Sequence, residues 1–290
     1  MGTFGCGGTL EGVFIKVDKR NRGRGQAPRH VKPEGLEVQT GYQDPLEEGV
    51  ILGRNAVMEA LDAEVPIDKI FIAKGDVDAG LGHMASRARS AGAVVVETDR
   101  RKLDHMSKGQ VHQGVVALAS VKAYCEISDI LALAEARGEP PLLVICDALS
   151  DPHNLGAIIR TAEATGVHGI VIPKRRSAGI TPIVQKTSAG AVNHLPVCRV
   201  PNLTATIKEL QKAGLWIYGA AMEGERTLWE TDFRGPAAIV IGSEGEGLGR
   251  LISEHCDFLV NIPMMGKVRS LNASVSAGLL LYETVRQRSK

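Results

Sequence analysis

Five polar residues stand where packing alone gives them little reason to be. Glu244 sits inside a glycine-rich turn running from Gly242 to Gly249, GSEGEGLG, where a carboxylate fills no core. Arg160 borders an apolar stripe formed by Leu155, Ile158, Ile159 and Ala162. A charge there is costly unless paired, and Glu163 and Asp147 are its candidates for a salt bridge. Asn154 stands where a helix N-cap belongs, a role worth about 1 kcal/mol. Ser270 and Asn272 flank Leu271 just before a long apolar helix, and either could cap it. A guanidinium stays charged at any physiological pH and makes a poor base. Its physical use is to hold an anion or to stabilise a developing negative oxygen.

The elements around these residues place them together. A β-branched run, Ile239 to Ile241, ends in the glycine-rich turn, and a second apolar run, Phe258 to Ile262, stops at Pro263 and a Met-Met-Gly loop. Two parallel strands with such endings bring their loops to the carboxyl edge of the sheet, where open α/β sheets bind ligands. The glycines do not read as a dinucleotide fingerprint. That motif belongs to the first βα turn of a domain and is followed by an acidic residue about twenty positions on. A nucleotide-dependent oxidoreductase fails on the same ground.

At 290 residues with 44% hydrophobic and 23% charged side chains, the composition is that of a soluble globular protein of about two domains. No apolar run approaches the roughly 20 residues of a membrane span, and the glycine-rich start lacks the apolar core of a signal peptide. The five cysteines are scattered without metal-ligand spacing, which suggests free thiols in a reducing, cytoplasmic setting. The net charge of +1 conceals an asymmetry. Between Lys16 and Lys32 there are seven Lys or Arg against Asp18, so that stretch carries +6 and the remainder −5. With little apolar content it should be a mobile basic tail.

The pattern predicts a tail over 1–47, a small α/β unit over 48–120, a linker over 121–140 and a larger α/β domain over 141–290. In the small unit, Val57 and Leu61 mark a helix, Lys69 to Lys74 a strand, Leu81 to Ala91 a helix, Val94 to Asp99 a strand, Arg100 to Met106 a short helix and Val111 to Ser120 a strand. The linker should hold one helix, Ile127 to Arg137. In the larger domain, the buried-looking strand Leu142 to Leu149 precedes the helix of Asn154, closed by Gly166. Further strands alternate with helices, including Thr181 to Ala191 and Leu203 to Ala213. Such alternation means a parallel sheet covered on both faces.

Three segments in order, NLGAIIRTA, IGSEGEGL with NIPM, and SLNASVSAGLLLYE, resemble the three motifs of the SpoU class of RNA 2′-O-ribose methyltransferases. The resemblance spans residues 49–287 and implies a C-terminal domain tied in a deep trefoil knot. The pieces GRNAVMEAL and HQGVVALA resemble the RNA-binding domain, related to the ribosomal L30e fold, that precedes the knot in one branch. The resemblance further implies S-adenosylmethionine as cofactor, no metal, and a homodimer. Arg160, Asn154, Glu244, Ser270 and Asn272 take catalytic positions. The backbone of Gly242, Ile262 and Leu271 holds the cofactor, and Arg54, Asn55, His112 and Gln113 are candidate RNA contacts. The nearest resemblance is to enzymes acting on a guanosine of large-subunit ribosomal RNA. A transfer-RNA methyltransferase is the alternative, and a catalytically silent ribosome-assembly protein another. Loss of Arg160, Glu244 or Asn272 would have favoured the last, and all three are present.

If the basic stretch serves RNA, it contacts phosphates without reading bases. Deleting residues 1–45 is expected to weaken RNA binding and to make the slope of log K against log salt shallower by about 0.7 per lost contact on single-stranded RNA. A salt titration of full-length and truncated protein checks this, and an unchanged slope makes the stretch a bystander.

Overall fold

The computed structural model describes residues 46, 49–75 and 78–289. The expected basic tail lies outside the described residues. The described residues form one compact unit, built on two sheets.

The smaller sheet and its helices are β1 (Val50–Leu52), α1 (Arg54–Asp62), β2 (Ile67–Ala73), α2 (Ala79–Ser90), β3 (Val94–Thr98), α3 (Arg100–Met106) and β4 (Val115–Ala119). Strand order is β1-β4-β2-β3. Only β2 and β3 run parallel, and β4 is antiparallel to both its neighbours. Val57, Leu61, Leu81 and Met84 pack with Ile70 and Ile72 on one face, and Phe71, Leu103 and Val116 form the other. The strand expected from Val111 starts only at Val115. Gln113 (φ 49°) and Gly114 (φ 80°) turn the chain through the left-handed region just before it. The register of β2 against β4 shifts between Ile67 and Lys69, a bulge at Asp68.

After α4 (Ile127–Arg137) come β5 (Leu142–Cys146), α5 (Pro152–Ala164), β6 (Gly169–Pro173), α6 (Pro182–Thr187), β7 (Val197–Val200), α7 (Leu203–Lys212), β8 (Trp216–Ala220), β9 (Arg226–Thr227), β10 (Ala237–Ile241), α8 (Arg250–Ser253), β11 (Phe258–Asn261) and α9 (Ala273–Arg288). The sheet runs β7-β6-β5-β10-β8-β11-β9, with every pairing parallel. The parallel, doubly covered sheet expected from the alternating pattern is present. Along β5, Leu142, Val144 and Cys146 enter one core and Leu143 and Ile145 the other, as strict alternation between two buried faces requires.

Two further local expectations change. Asn154 is not the cap of its helix. Asp151 is, accepting from the His153 N–H at 2.9 Å, and Pro152 occupies the first turn. Proline suits that position because its missing N–H has no helical partner there. The helix expected from Thr181 to Ala191 stops at Thr187, because Ala189 (φ 51°) and Gly190 (φ 83°) leave the right-handed region.

α5 carries Asn154 and Arg160, and its seat is set by Gly156. A Cβ there would lie 2.7 Å from Thr187 Cβ and 3.1 Å from the Ser188 nitrogen at the end of α6. Alanine at that position gains about 1 kcal/mol in helix propensity but overpacks against backbone, which typically costs about 1–3 kcal/mol. Gly156→Ala is therefore expected to lower the melting temperature and to displace α5. Thermal unfolding checks it, and a raised melting temperature would show that α6 yields freely.

Candidate active site

The parallel pairing of β5 and β10 sets their carboxyl ends side by side. Beyond β5, the Asp147 N–H donates to the Ile241 carbonyl at 2.8 Å. Its carboxylate accepts from the Gly249 N–H at 2.7 Å, fastening the far end of the glycine-rich turn. Within the turn, Ser243 and Gly247 exchange backbone hydrogen bonds of 3.0 Å each. Gly247 holds φ at 67°, and a Cβ on the buried Gly242 would overlap the Gly247 backbone. Side chains at either position would open the turn.

The tip of this turn holds Glu244 at the start of α9. Its Oε1 accepts from Asn154 Nδ2 at 2.8 Å and from Asn272 Nδ2 at 2.6 Å. Asn272 Nδ2 also reaches Asn154 Oδ1 at 2.9 Å. The other end of the Asn272 amide caps α9, accepting from the N–H groups of Ser274 at 2.9 Å and Val275 at 3.3 Å. Because Oδ1 is committed to those N–H donors, Nδ2 must face the carboxylate, which fixes the orientation of the amide. The Glu244 carboxylate thus rests beside the positive end of a 16-residue helix. Asn154 is buried, whereas Glu244 and Asn272 face outward.

Other sequence-derived residues are placed nearby without being joined to this triangle. Arg160 lies six residues beyond Asn154 on α5, about 9 Å along the axis and well round from it. It is exposed, and among the described residues it makes no hydrogen bond or ion pair. Neither Glu163 nor Asp147 takes it. Ser270 is also exposed and does not cap α9. The main-chain groups of Gly242, Ile262 and Leu271 enter no loop hydrogen bond with another backbone group among the described residues. Among the described residues no three His, Cys, Asp or Glu side chains are grouped to hold a metal ion.

In the smaller sheet, Arg54, Asn55 and Gln113 line a groove of about 450 Å³ together with Arg100 and Gly114. The Arg54 N–H donates to Gln113 Oε1 at 3.0 Å and its Nε to the Gln113 carbonyl at 3.1 Å. Its Nη1 pairs with Asp78. The Asp78 carboxyl is held below the usual range, first by the Leu81 N–H and then by Arg54. His112 is different. It is buried, its Nδ1 accepts from the Gly114 N–H at 3.1 Å, and Nε2 donates to Asp104 at 2.9 Å. Both ring nitrogens of His112 are therefore engaged within the fold, beside the turn at Gln113. Arg100 was missed by sequence reasoning, though an Arg-Arg pair directly after a strand was a readable signal.

Both sheets lie within segments that match known families. Residues 141–282 match the model of the SpoU rRNA methylase family, and residues 50–125 match that of the RNA 2′-O ribose methyltransferase substrate-binding family. A Bacillus subtilis protein named as a TrmH family tRNA/rRNA methyltransferase is 46% identical over 239 residues, covering 82% of this chain and 96% of the relative. A Mycolicibacterium smegmatis protein named as a tRNA/rRNA methyltransferase is 46% identical over 243 residues, covering 83% and 77%. Among solved structures, the SpoU methyltransferase AviRb of Streptomyces viridochromogenes, in complex with its cofactor AdoMet, aligns with a TM-score of 0.53. It shares 26% identity across 83% of this chain and 90% of that one. The chain belongs to the SpoU (TrmH) family of RNA methyltransferases.

The two roles of the Asn272 amide can be separated by substitution. Asp at 272 keeps an oxygen for the α9 cap but replaces the donor facing Glu244 with a second carboxylate, and like charges at that range repel. Asn272→Asp is expected to unfold within a few degrees of wild type while losing at least ~10-fold in methyl transfer. Part of the activity should return as pH falls and a proton is shared between the carboxylates. Full activity at neutral pH would show that the bond to Glu244 is dispensable.

Proposed function

We propose that this chain transfers a methyl group from S-adenosylmethionine to the ribose 2′-oxygen of a guanosine in large-subunit ribosomal RNA. The observation that carries this reading is the Glu244 carboxylate held by both Asn154 and Asn272, beyond the carboxyl ends of β5 and β10, and the main chain of Gly242, Ile262 and Leu271 is proposed to hold the cofactor. The cofactor, when bound, supplies an electrophilic methyl group. The triangle fixes the floor of the site, so the acceptor ribose meets rigid hydrogen-bonding groups, and alignment of this kind is worth roughly 7–11 kcal/mol. Arg160, which has no partner of its own in the described chain, is suited to hold the adjacent phosphate and to stabilise charge growing on the 2′-oxygen. Ser270 joins them from the loop before α9.

The finer features of the reading follow from family membership and fit the geometry. The C-terminal segment is proposed to thread a deep trefoil knot, in keeping with β10 inserting between β5 and β8 although β8 precedes it. Residues 48–120 serve as an L30e-like RNA-binding unit, with the Arg54, Asn55, Gln113 groove as its contact. The homodimer seam is proposed to be the exposed stripe of Val275, Leu279 and Tyr282 on α9. Ala273 and Ala277 of the same helix are buried in the chain's own core. No described helix is long and apolar enough to cross a membrane, and the four described cysteines are free, which fits a cytoplasmic setting. The relatives carry the undivided name tRNA/rRNA methyltransferase, so transfer RNA is the alternative substrate.

Purified protein is expected to bind S-adenosylmethionine near one site per chain by calorimetry, with a chelator present, because no step above uses a metal. Arg160→Ala should lower turnover by at least ~10²-fold with cofactor affinity nearly intact, the scale for one preorganised donor. Lysine should restore little, since it lacks the planar fork. Mapping ribose methylation by primer extension on ribosomal and transfer RNA from a deletion strain identifies the substrate. Equal loss of cofactor binding in Arg160→Ala would make that residue structural.

A further inference from the structure

The two sheets are joined by a buried polar contact that none of the motif residues accounts for. The bulge in β2 turns Asp68 out of its ladder and toward the larger sheet, where its side chain is 1% exposed. There it pairs with Arg199 of β7, itself 6% exposed. Arg199 also donates to the Asp68 carbonyl at 3.2 Å and to the Gly92 carbonyl at 2.7 Å. Its guanidinium lies 4.2 Å from the centre of the Tyr124 ring. The Tyr124 hydroxyl completes the group, donating to Asp68 Oδ1 at 2.8 Å and accepting from the Ile180 N–H at 3.1 Å. Gly179 makes room for it, because a Cβ at that position would overlap the Asp68 carboxylate. Beside it, Lys69 Nζ donates to the Ser177 carbonyl at 2.9 Å. Lys122 Nζ holds the carbonyls of Val192 and Leu195, each at 3.1 Å.

A buried ion pair is weak evidence for added stability, since its desolvation cost rivals its attraction, and its best-attested use is to fix register. This one has the marks of a register device. Each charge comes from a different sheet, an aromatic hydroxyl orients the carboxylate, and Gly179 leaves the room that a Cβ would take from it. We propose that Asp68, Tyr124 and Arg199 form a clamp that sets the angle of the RNA-binding sheet on the catalytic sheet. RNA anchored on the first is thereby presented to the Asn154–Glu244–Asn272 triangle at one fixed offset. The inference rests on the proposed RNA methyltransferase function and adds what selects the target within it. These are positioning residues, since their hydrogen bonds and ion pair run to one another and to backbone groups rather than to Asn154, Glu244 or Asn272.

The test compares wild type with Asp68→Asn, Arg199→Ala, Arg199→Lys and Gly179→Ala, the last of which fills the slot while keeping both charges. Probes are in-vitro-transcribed large-subunit ribosomal RNA and unfractionated transfer RNA. The clamp predicts that S-adenosylmethionine affinity is unchanged and RNA affinity stays within about 3-fold. The kcat for methyl transfer should fall at least ~10-fold, the kind of loss a displacement near 1 Å produces. Methylation should spread to neighbouring nucleotides, and Arg199→Lys should retain more activity than Arg199→Ala. Small-angle scattering should show a larger radius of gyration in Asp68→Asn and Gly179→Ala. Unchanged kcat and methylation position in folded variants overturn the proposal. So does a loss of kcat that tracks loss of cofactor binding, which would make the contact merely stabilising. If wild type methylates neither RNA, the functional reading fails separately. The clamp is then decided by scattering alone, with an unchanged radius of gyration counting against it.

Discussion

The parallel register of β5 with β10 is the constraint on which the rest of the catalytic half depends. Leu142 to Cys146 pair with Ala237 to Ile241, so two segments some ninety-five residues apart in sequence end at the same edge. Nothing local enforces this. It follows from continuous apolar runs that must be covered on both faces, and the cores on either side of the sheet provide that cover. Once the register is set, Asp147 ties the glycine-rich turn to the end of β5 through Ile241 and Gly249. The turn then delivers Glu244 to the start of α9, where two asparagines from different elements converge on one oxygen. A slip of one residue would reverse every side chain on the strand, and the triangle would not assemble.

Asn272 shows how such an edge couples structure to function. One amide caps a 16-residue helix with its oxygen and restrains a carboxylate with its nitrogen. The cap is an ordinary requirement of any helix start, so the nitrogen's direction comes without further ordering. Asn154 is similarly economical, since it sits in the first turn of a helix already capped by Asp151. Burial leaves its amide with few rotamers, and both of its polar ends are used.

Much of this was legible from residue types. Long apolar runs such as LLVIC and AAIVI announce buried parallel strands, and a glutamate among glycines has no packing use. The cap of α5 was misassigned because Asn154 and Asp151 are both good caps. Proline at 152 decides between them, since it favours the first helical turn. Strands β1 and β9, of three and two residues, carry too little periodicity to be read and exist only through their pairing partners. Arg160 was legible by type, but not its exposure, because which side of α5 stays open depends on where α9 and α6 pack. The role of His112 was hidden for a related reason. Its burial follows from the left-handed turn at Gln113 and Gly114, a tertiary feature with no strong local signature.

The slot at Gly179 bears on how proteins of this kind are assembled over evolutionary time. A recognition module is readily exchanged when it hangs on a linker, because any replacement that folds will function in the new setting. Here the module inserts an aspartate into a slot that one glycine keeps open, and an arginine in β7 pairs with it while also reaching the loop before β3. A foreign module lacking the bulge at Asp68 would leave Arg199 buried without its counter-charge, and a host lacking Gly179 would refuse the carboxylate. The two halves therefore constrain each other's drift. Recombination at the linker is expected to yield working chimeras only when both sides of the joint travel together.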